Sequence, residues 1–201
     1  MEVQPLSGSI GARIAGIDLS QELSNSQAAD IHAAFLAHKV LVFDGPVLTP
    51  DQQSRASRLF GEPDIYPFIK GMEGFPEIIE ILKTETDKVN FGGGWHSDTT
   101  YMEKPALGTM LHALEVPREG GGTLFADLRA AWDALPPETQ ARLQPLTGLH
   151  RFNRGPANSA GIYDGQAGVR EAVAELQRHP AMAIHPRSGR RILFVNPAHS
   201  V

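Results

Sequence analysis

The chain contains no cysteine. That excludes disulfides, thiolate-ligated metals and a cysteine nucleophile. No uninterrupted apolar run approaches the ~20 residues that a membrane helix needs. The start, MEVQPLSGSIG, lacks the charged-then-apolar pattern of a secretory leader, so the default expectation is a cytoplasmic protein. A basic block is missing too. Lys and Arg number 18 against 23 Asp and Glu, a net charge of −5 with a pI near 5.9. This argues against nucleic acid or an anionic membrane as the main partner. The triplets Gly92–Gly94 and Gly120–Gly122 do not spell GxGxxG, which excludes the usual dinucleotide fingerprint. No G-x-S-x-G is present for a serine hydrolase.

What is present is an ordinary globular composition, 201 residues with 41% apolar and 20% charged side chains. Such a length buries a real core and is read as one domain over 1–201. Twenty glycines and fifteen prolines cut the chain into short pieces, a pattern of many strands and turns. A first helix is expected after Ser24 and Asn25, with Ala28, Ile31, Ala34 and Phe35 on its inner face. A second follows Thr49, where Pro50 and Gln52 complete a capping box. Its inner stripe is Ala56, Leu59 and Phe60, and Gly61 suits its end. Strands are expected at 40–43, 78–82, 107–116, 146–152 and 191–195. Further helical pieces fall at 126–135, 138–143 and 169–177, and a long loop at 155–168. Early helices followed by strands with helical insertions give an α+β class.

The stretch GGGWHSDTTY carries the chemistry. His96 and Asp98 are two residues apart, and on an extended chain they would share a face. One imidazole nitrogen and one carboxylate oxygen can then meet on a divalent ion. An N,O pair without sulfur suits Fe(II), Mn or Zn, and a second histidine would complete a facial triad. A solvated surface turn accounts for the same spacing equally well. Elsewhere the histidines read as structural. His32 and His38 are surface residues of the first helix, His112 is a hydrogen-bonded core residue, and His150 and His179 carry no motif. Trp132 belongs to a core stripe, and Arg187, Arg190 and Arg191 to a solvated hairpin tip.

Five landmarks together have a further meaning: IGARIAGIDLS, LTPDQQSRASRLFGE, WHSDTTY, EVPREGGGTLFADLRAAWDAL and HPRSGRRILFVNPAHS. In that order the chain resembles the taurine dioxygenase (TauD/TfdA) family of Fe(II)/2-oxoglutarate-dependent dioxygenases. The resemblance implies a double-stranded β-helix, a jelly-roll core with flanking helices, and hydroxylation of a small organic substrate by molecular oxygen. 2-Oxoglutarate is the co-substrate, leaving as succinate and CO2. It also implies that His96 and Asp98 are the proximal iron ligands. Thr123, in Gly121-Gly122-Thr123 where the family usually has GGDT, matches a hydroxyl donor to 2-oxoglutarate.

The pocket positions differ from those of a taurine enzyme. Tyr66 and Gly92 stand where polar groups hold the sulfonate, so the expected substrate is not taurine. Phe152 matches a pocket aromatic, and His199 falls where a second aromatic stands and offers a contact for an anion. The family places its distal iron histidine and a carboxylate-binding arginine beyond the FVNPAHS segment. The resemblance therefore implies that these residues and the closing strands lie outside 1–201, with His199 and His185 the late histidines left to substitute. Sheet edges left open invite pairing with another chain, a second copy included. Two rivals stand beside the dioxygenase: a non-catalytic remnant that binds but does not turn over, and a zinc hydrolase using His96 and Asp98.

Overall fold

The computed structural model describes residues 1–66, 68–86, 92–152 and 176–200. The chain divides into two compact units. The first comprises residues 1–63, 110–135 and 184–192, and the second residues 64–109, 136–183 and 193–201.

The first unit opens with a three-stranded sheet of Glu2–Pro5 (β1), Ala12–Ala15 (β2) and Leu41–Phe43 (β3) in the order β1-β2-β3. β1 and β2 are antiparallel, with Val3 opposite Ile14; β2 and β3 are parallel, with Ile14 opposite Phe43. A parallel pair needs a crossover, supplied here by the helix Asn25–His38 (α1). Alternation along β2 sends Ala12 and Ile14 inward and Arg13 outward, where Arg13 meets Asp44 at 3.0 Å. The core is Ile14, Ile17, Ile31 and Ala34, with Leu41, Phe43, Leu59 and Phe60 packed against it.

Both expected capping boxes are in place. Ser24 accepts from the Gln27 amide and Gln27 returns a bond to the Ser24 amide; Thr49 and Gln52 do the same for Pro50–Ser57 (α2). α2 is shorter than its sequence stripe suggests. Arg58 caps it, and Leu59 and Phe60 reach the core from the turn that follows, so Gly61 does not end the helix. Asp127 caps Leu128–Asp133 (α3) and buries Trp132 as expected. The Asp127 side chain, only 4% exposed, is neutralised by Arg129 at 3.0 Å and Lys39 at 3.5 Å.

The second unit contains Pro137–Leu143 (α4) and the antiparallel pair Thr147–His150 (β4) and Gln177–Pro180 (β5). Met182–Ile184 (β6) and Arg191–Leu193 (β7) make a further two-stranded sheet. At the tip beyond it Arg190 reaches Asp133 at 3.6 Å. The expected loop at 155–168, and residues 169–175 of the expected helix, lie outside the described residues. Gln177, placed at that helix's end by periodicity, starts β5 instead.

The expected strands at 78–82 and 107–116 form no ladder among the described residues. The β-forming side chains are there, but a strand exists only where another backbone edge takes its N–H and C=O groups. Without that neighbour their apolar groups face outward: Leu82 is 79% exposed, Leu111 68% and Val116 70%. His112 is half-buried in this stretch and accepts the Leu48 amide at 3.2 Å. The strands that do form among the described residues are short and lie in three separate sheets, without a closed barrel.

Core packing outweighs capping in the first unit. Ile31 is wholly buried, so Ile31→Ala is expected to cost about 2–5 kcal/mol. Ser24→Ala, which removes half a capping box, is expected to cost about 1 kcal/mol. Urea unfolding followed by helical circular dichroism checks both; equal effects would mean that the α1 face is not the core.

Candidate metal centre

His96 and Asp98 do converge, with His96 Nε2 lying 3.0 Å from Asp98 Oδ1. The route differs from the sequence expectation. Residues 92–102 are coil and turn rather than strand, and the chain bends twice through left-handed backbone, at Gly92 (φ 67°) and Thr99 (φ 54°). Glycine takes the first without strain. A β-branched residue does not, and such a conformation costs about 1–3 kcal/mol unless its surroundings fix it. They do: Thr99 Oγ1 accepts the Ala106 amide at 2.8 Å and the Thr99 carbonyl accepts the Met102 amide at 2.8 Å.

Each of the two facing atoms is set by a second contact. His96 Nδ1 donates to the Gly94 carbonyl at 2.8 Å, which leaves Nε2 to face Asp98. Asp98 Oδ2 accepts from the Thr109 hydroxyl at 2.6 Å, which leaves Oδ1 to face His96. Outer contacts of this kind fix tautomer and orientation in metal sites. Thr109 was not visible as a site residue in the sequence, because it lies eleven positions from Asp98 with no motif around it. Both side chains are half-open to solvent. A nitrogen and an oxygen at one exposed edge fit a divalent ion of the Fe(II), Mn or Zn class. Among the described residues no third His, Cys, Asp or Glu joins them.

The pair is coupled electrically. Donation to the Asp98 carboxylate lifts the His96 imidazole to about 9 against the opposing pull of burial, with the Gly94 carbonyl adding to the rise. The same bond holds the Asp98 carboxyl below its ordinary value against burial, with Thr109 helping. The ion pair thus stabilises the fold from below the usual carboxylate range upward and is lost as pH rises through about 9.

Behind the pair stands a packed aromatic group. Phe68 and Tyr101 are buried, with Tyr66, Met102 and Phe152 against them. Phe68 stacks on Phe152 at 4.4 Å, Tyr101 meets Phe152 edge-on at 4.9 Å, and the Tyr101 hydroxyl donates to that of Tyr66 at 3.1 Å. His199 meets Tyr101 edge-on at 4.8 Å and stands 6.5 Å, ring to ring, from His96. Burial and then the nearby His96 push the His199 imidazole down; the Arg151 backbone and Asp98 pull the other way. The structure therefore brings Tyr66, Phe152 and His199 into one cluster beside His96 and Asp98. Gly92 is also adjacent, since a Cβ there would meet His96 Cε1 at 3.3 Å. Thr123 is exposed and belongs to the first unit. His185 is also in that unit, bonded to Ser188.

Sequence reasoning missed His150 and His179. His150 is wholly buried, 5.2 Å from the His179 ring. His179 Nε2 donates to the Met102 carbonyl at 3.1 Å, so β5 holds the loop that follows Asp98. Neither has sequence neighbours that announce a role; the signal is the β4–β5 register, which sets Gly148 opposite His179.

Two outcomes follow from this geometry. Mn(II) must displace the His96 proton, so its affinity is expected to rise about tenfold per pH unit up to about 9, the slope for one displaced proton. Calorimetry across pH, in buffers of different ionisation enthalpy, checks the released proton; a flat profile would remove His96 from the site. Gly92→Ala forces a Cβ into left-handed backbone and against the His96 ring, and is expected to weaken Mn(II) by about 10–100-fold, the range for disturbed outer contacts. Unchanged affinity in that titration would separate Gly92 from the ligand.

Residues 2–201 match the family described as "Taurine catabolism dioxygenase TauD, TfdA family". The chain is 32% identical to an (S)-phenoxypropionate/alpha-ketoglutarate-dioxygenase of Sphingobium herbicidovorans, over all of this chain and 72% of that protein. It is 28% identical to an alpha-ketoglutarate-dependent sulfate ester dioxygenase of Pseudomonas putida, over 96% of this chain and 65% of that one. The crystal structure of a taurine dioxygenase from Burkholderia xenovorans superposes with a TM-score of 0.81 at 31% identity, over all of this chain and 65% of that one. The chain thus spans about two thirds of the length of these relatives. All three are named as dioxygenases. The chain belongs to the TauD/TfdA family of dioxygenases.

Proposed function

We propose that this chain carries the His96–Asp98 half of an Fe(II) centre in a 2-oxoglutarate-dependent dioxygenase that hydroxylates a small organic anion. The observation that carries the reading is the imidazole nitrogen and carboxylate oxygen 3.0 Å apart at the open edge of an aromatic cluster. When bound, the iron supplies the oxygen chemistry, coupling hydroxylation to the conversion of 2-oxoglutarate into succinate and CO2. His96 gives up its Nε2 proton to become a ligand, and Asp98 supplies a carboxylate oxygen already ionised. Thr123 supplies a hydroxyl donor for 2-oxoglutarate, a role carried by its match to the family pattern. In this reading the remaining iron ligand, the arginine for 2-oxoglutarate and the strands that close the jelly roll belong to the family's further third.

The substrate class follows from the cluster's chemistry. Tyr66, Phe68, Tyr101 and Phe152 offer an apolar, aromatic wall. His199 is the polar group among them, placed 6.5 Å from His96, and an imidazole N–H can donate to a carboxylate, sulfate or sulfonate. The relatives are named for phenoxypropionate, a sulfate ester and taurine. Each of these carries an anionic group on an organic body, and an aromatic wall favours the aryl members.

The decisive assay is succinate release with Fe(II), ascorbate, oxygen and 2-oxoglutarate, stimulated by phenoxypropionate. His96→Ala and Asp98→Ala are each expected to remove the stimulated rate, and His199→Ala to raise KM for phenoxypropionate about tenfold while leaving KM for 2-oxoglutarate unchanged. One charge-assisted hydrogen bond accounts for that factor. A fully active Asp98→Ala protein would overturn the metal assignment.

A further inference from the structure

His199 lies 103 positions from His96 in the chain, yet their rings stand edge to face with centroids 6.5 Å apart. Something must fix that spacing. The aromatic packing does not suffice, because an edge-on ring contact tolerates sliding over an ångström or more. A directional link does exist. Asn196 is buried and its side-chain amide is bonded at both ends. Its Nδ2 donates to Thr100 Oγ1 at 3.1 Å, and its Oδ1 accepts the His199 amide at 3.0 Å. Thr100 is 1% exposed and stands two positions after Asp98. One planar group therefore spans from the metal-ligand loop to the backbone of His199.

The rest of the loop closes on the same residue. The Asn196 amide donates to Ser200 Oγ at 2.9 Å and its carbonyl accepts the Ser200 amide at 3.0 Å. From the other side the Arg151 amide donates to the His199 carbonyl at 2.9 Å. His199 is thus gripped at its N–H by Asn196 and at its C=O by the end of β4, and only the first grip leads to the metal-ligand loop.

We infer that Asn196 and Thr100 are positioning residues that set the distance between the substrate anion and the metal. The inference rests on the reading of His199 as the anion contact. It makes the register of substrate to metal a property of a side-chain amide tether rather than of the pocket walls. Loosening the tether would weaken anion binding and misplace the substrate while leaving the His96–Asp98 pair intact.

The test uses Thr100→Val, which keeps shape and removes the hydroxyl, and Thr100→Ser, which restores it. Three quantities are measured on the unaltered protein and both variants: hydrogen exchange of the His199 amide, Mn(II) affinity, and affinity for phenoxypropionate. Thr100→Val is expected to speed His199 exchange and to weaken phenoxypropionate by about tenfold each, the effect of one unsatisfied buried hydrogen-bond group. Mn(II) affinity should stay within about twofold, and Thr100→Ser should recover both losses. Unchanged His199 exchange in Thr100→Val, or loss of Mn(II) binding in parallel, would overturn the tether. Failure of phenoxypropionate to bind the unaltered protein would instead overturn the anion reading of His199, while exchange still decides the tether. Should Thr100→Val fail to fold, Thr100→Ala is read by the same measurements, since it removes the Oγ1 acceptor and leaves Asn196 in place. Slow His199 exchange together with unaltered Mn(II) and phenoxypropionate affinity in that variant would overturn the tether.

Discussion

A backbone segment becomes a strand only against another segment's edge, and this constraint decides what is ordered into sheets here. β2 has a neighbour on each side, β1 and β3, and its two inward residues are wholly buried. β4 has β5 alongside, and the pair carries a buried histidine at its end. The segments at 78–82 and 107–116 are as rich in β-forming residues but meet no edge among the described residues, and their leucines and valines face outward. Hydrophobic content sets the wish to be buried; the hydrogen-bond ladder decides whether a strand is available to do it.

The candidate site shows the opposite economy. It forms without any ladder, from a loop whose shape comes from two left-handed residues and a few side-chain bonds to backbone. The strain at Thr99 sits next to Asp98, where a regular conformation would point the carboxylate elsewhere. Strained backbone gathers where geometry matters more than local stability. Here it is held by Ala106 and Met102, themselves outside the His96–Asp98 pair.

Much of this was legible in the residues. Ser24 with Gln27 and Thr49 with Gln52 announced both early helix starts, because a capping box is a local contact between near neighbours. Trp132 announced its burial through helical spacing. His96 and Asp98 announced convergence, though by a strand that is not there, because the i, i+2 rule and a tight turn give the same meeting by different routes. What stayed hidden is long-range. Thr109 on Asp98, His179 on Met102 and Asn196 on Thr100 are bonds across 11, 77 and 96 positions, and no local pattern encodes them. Element ends were hidden for a related reason: α2 stops at Ser57 because Leu59 and Phe60 are drawn to the core from a turn.

The three-stranded sheet has one more consequence, in the order of assembly. Its strands and the crossover helix all lie within the first 43 residues, so their contacts close short loops and can form while later chain is still being made. The bond from Asn196 to Thr100 closes a loop of 96 residues. Each doubling of loop length adds only about 0.6 kcal/mol to closure, but such contacts form late because nothing rewards the chain until both ends arrive. Sequence separation thus sets two scales in one chain: the sheet closes within 43 residues, the Asn196–Thr100 bond across 96.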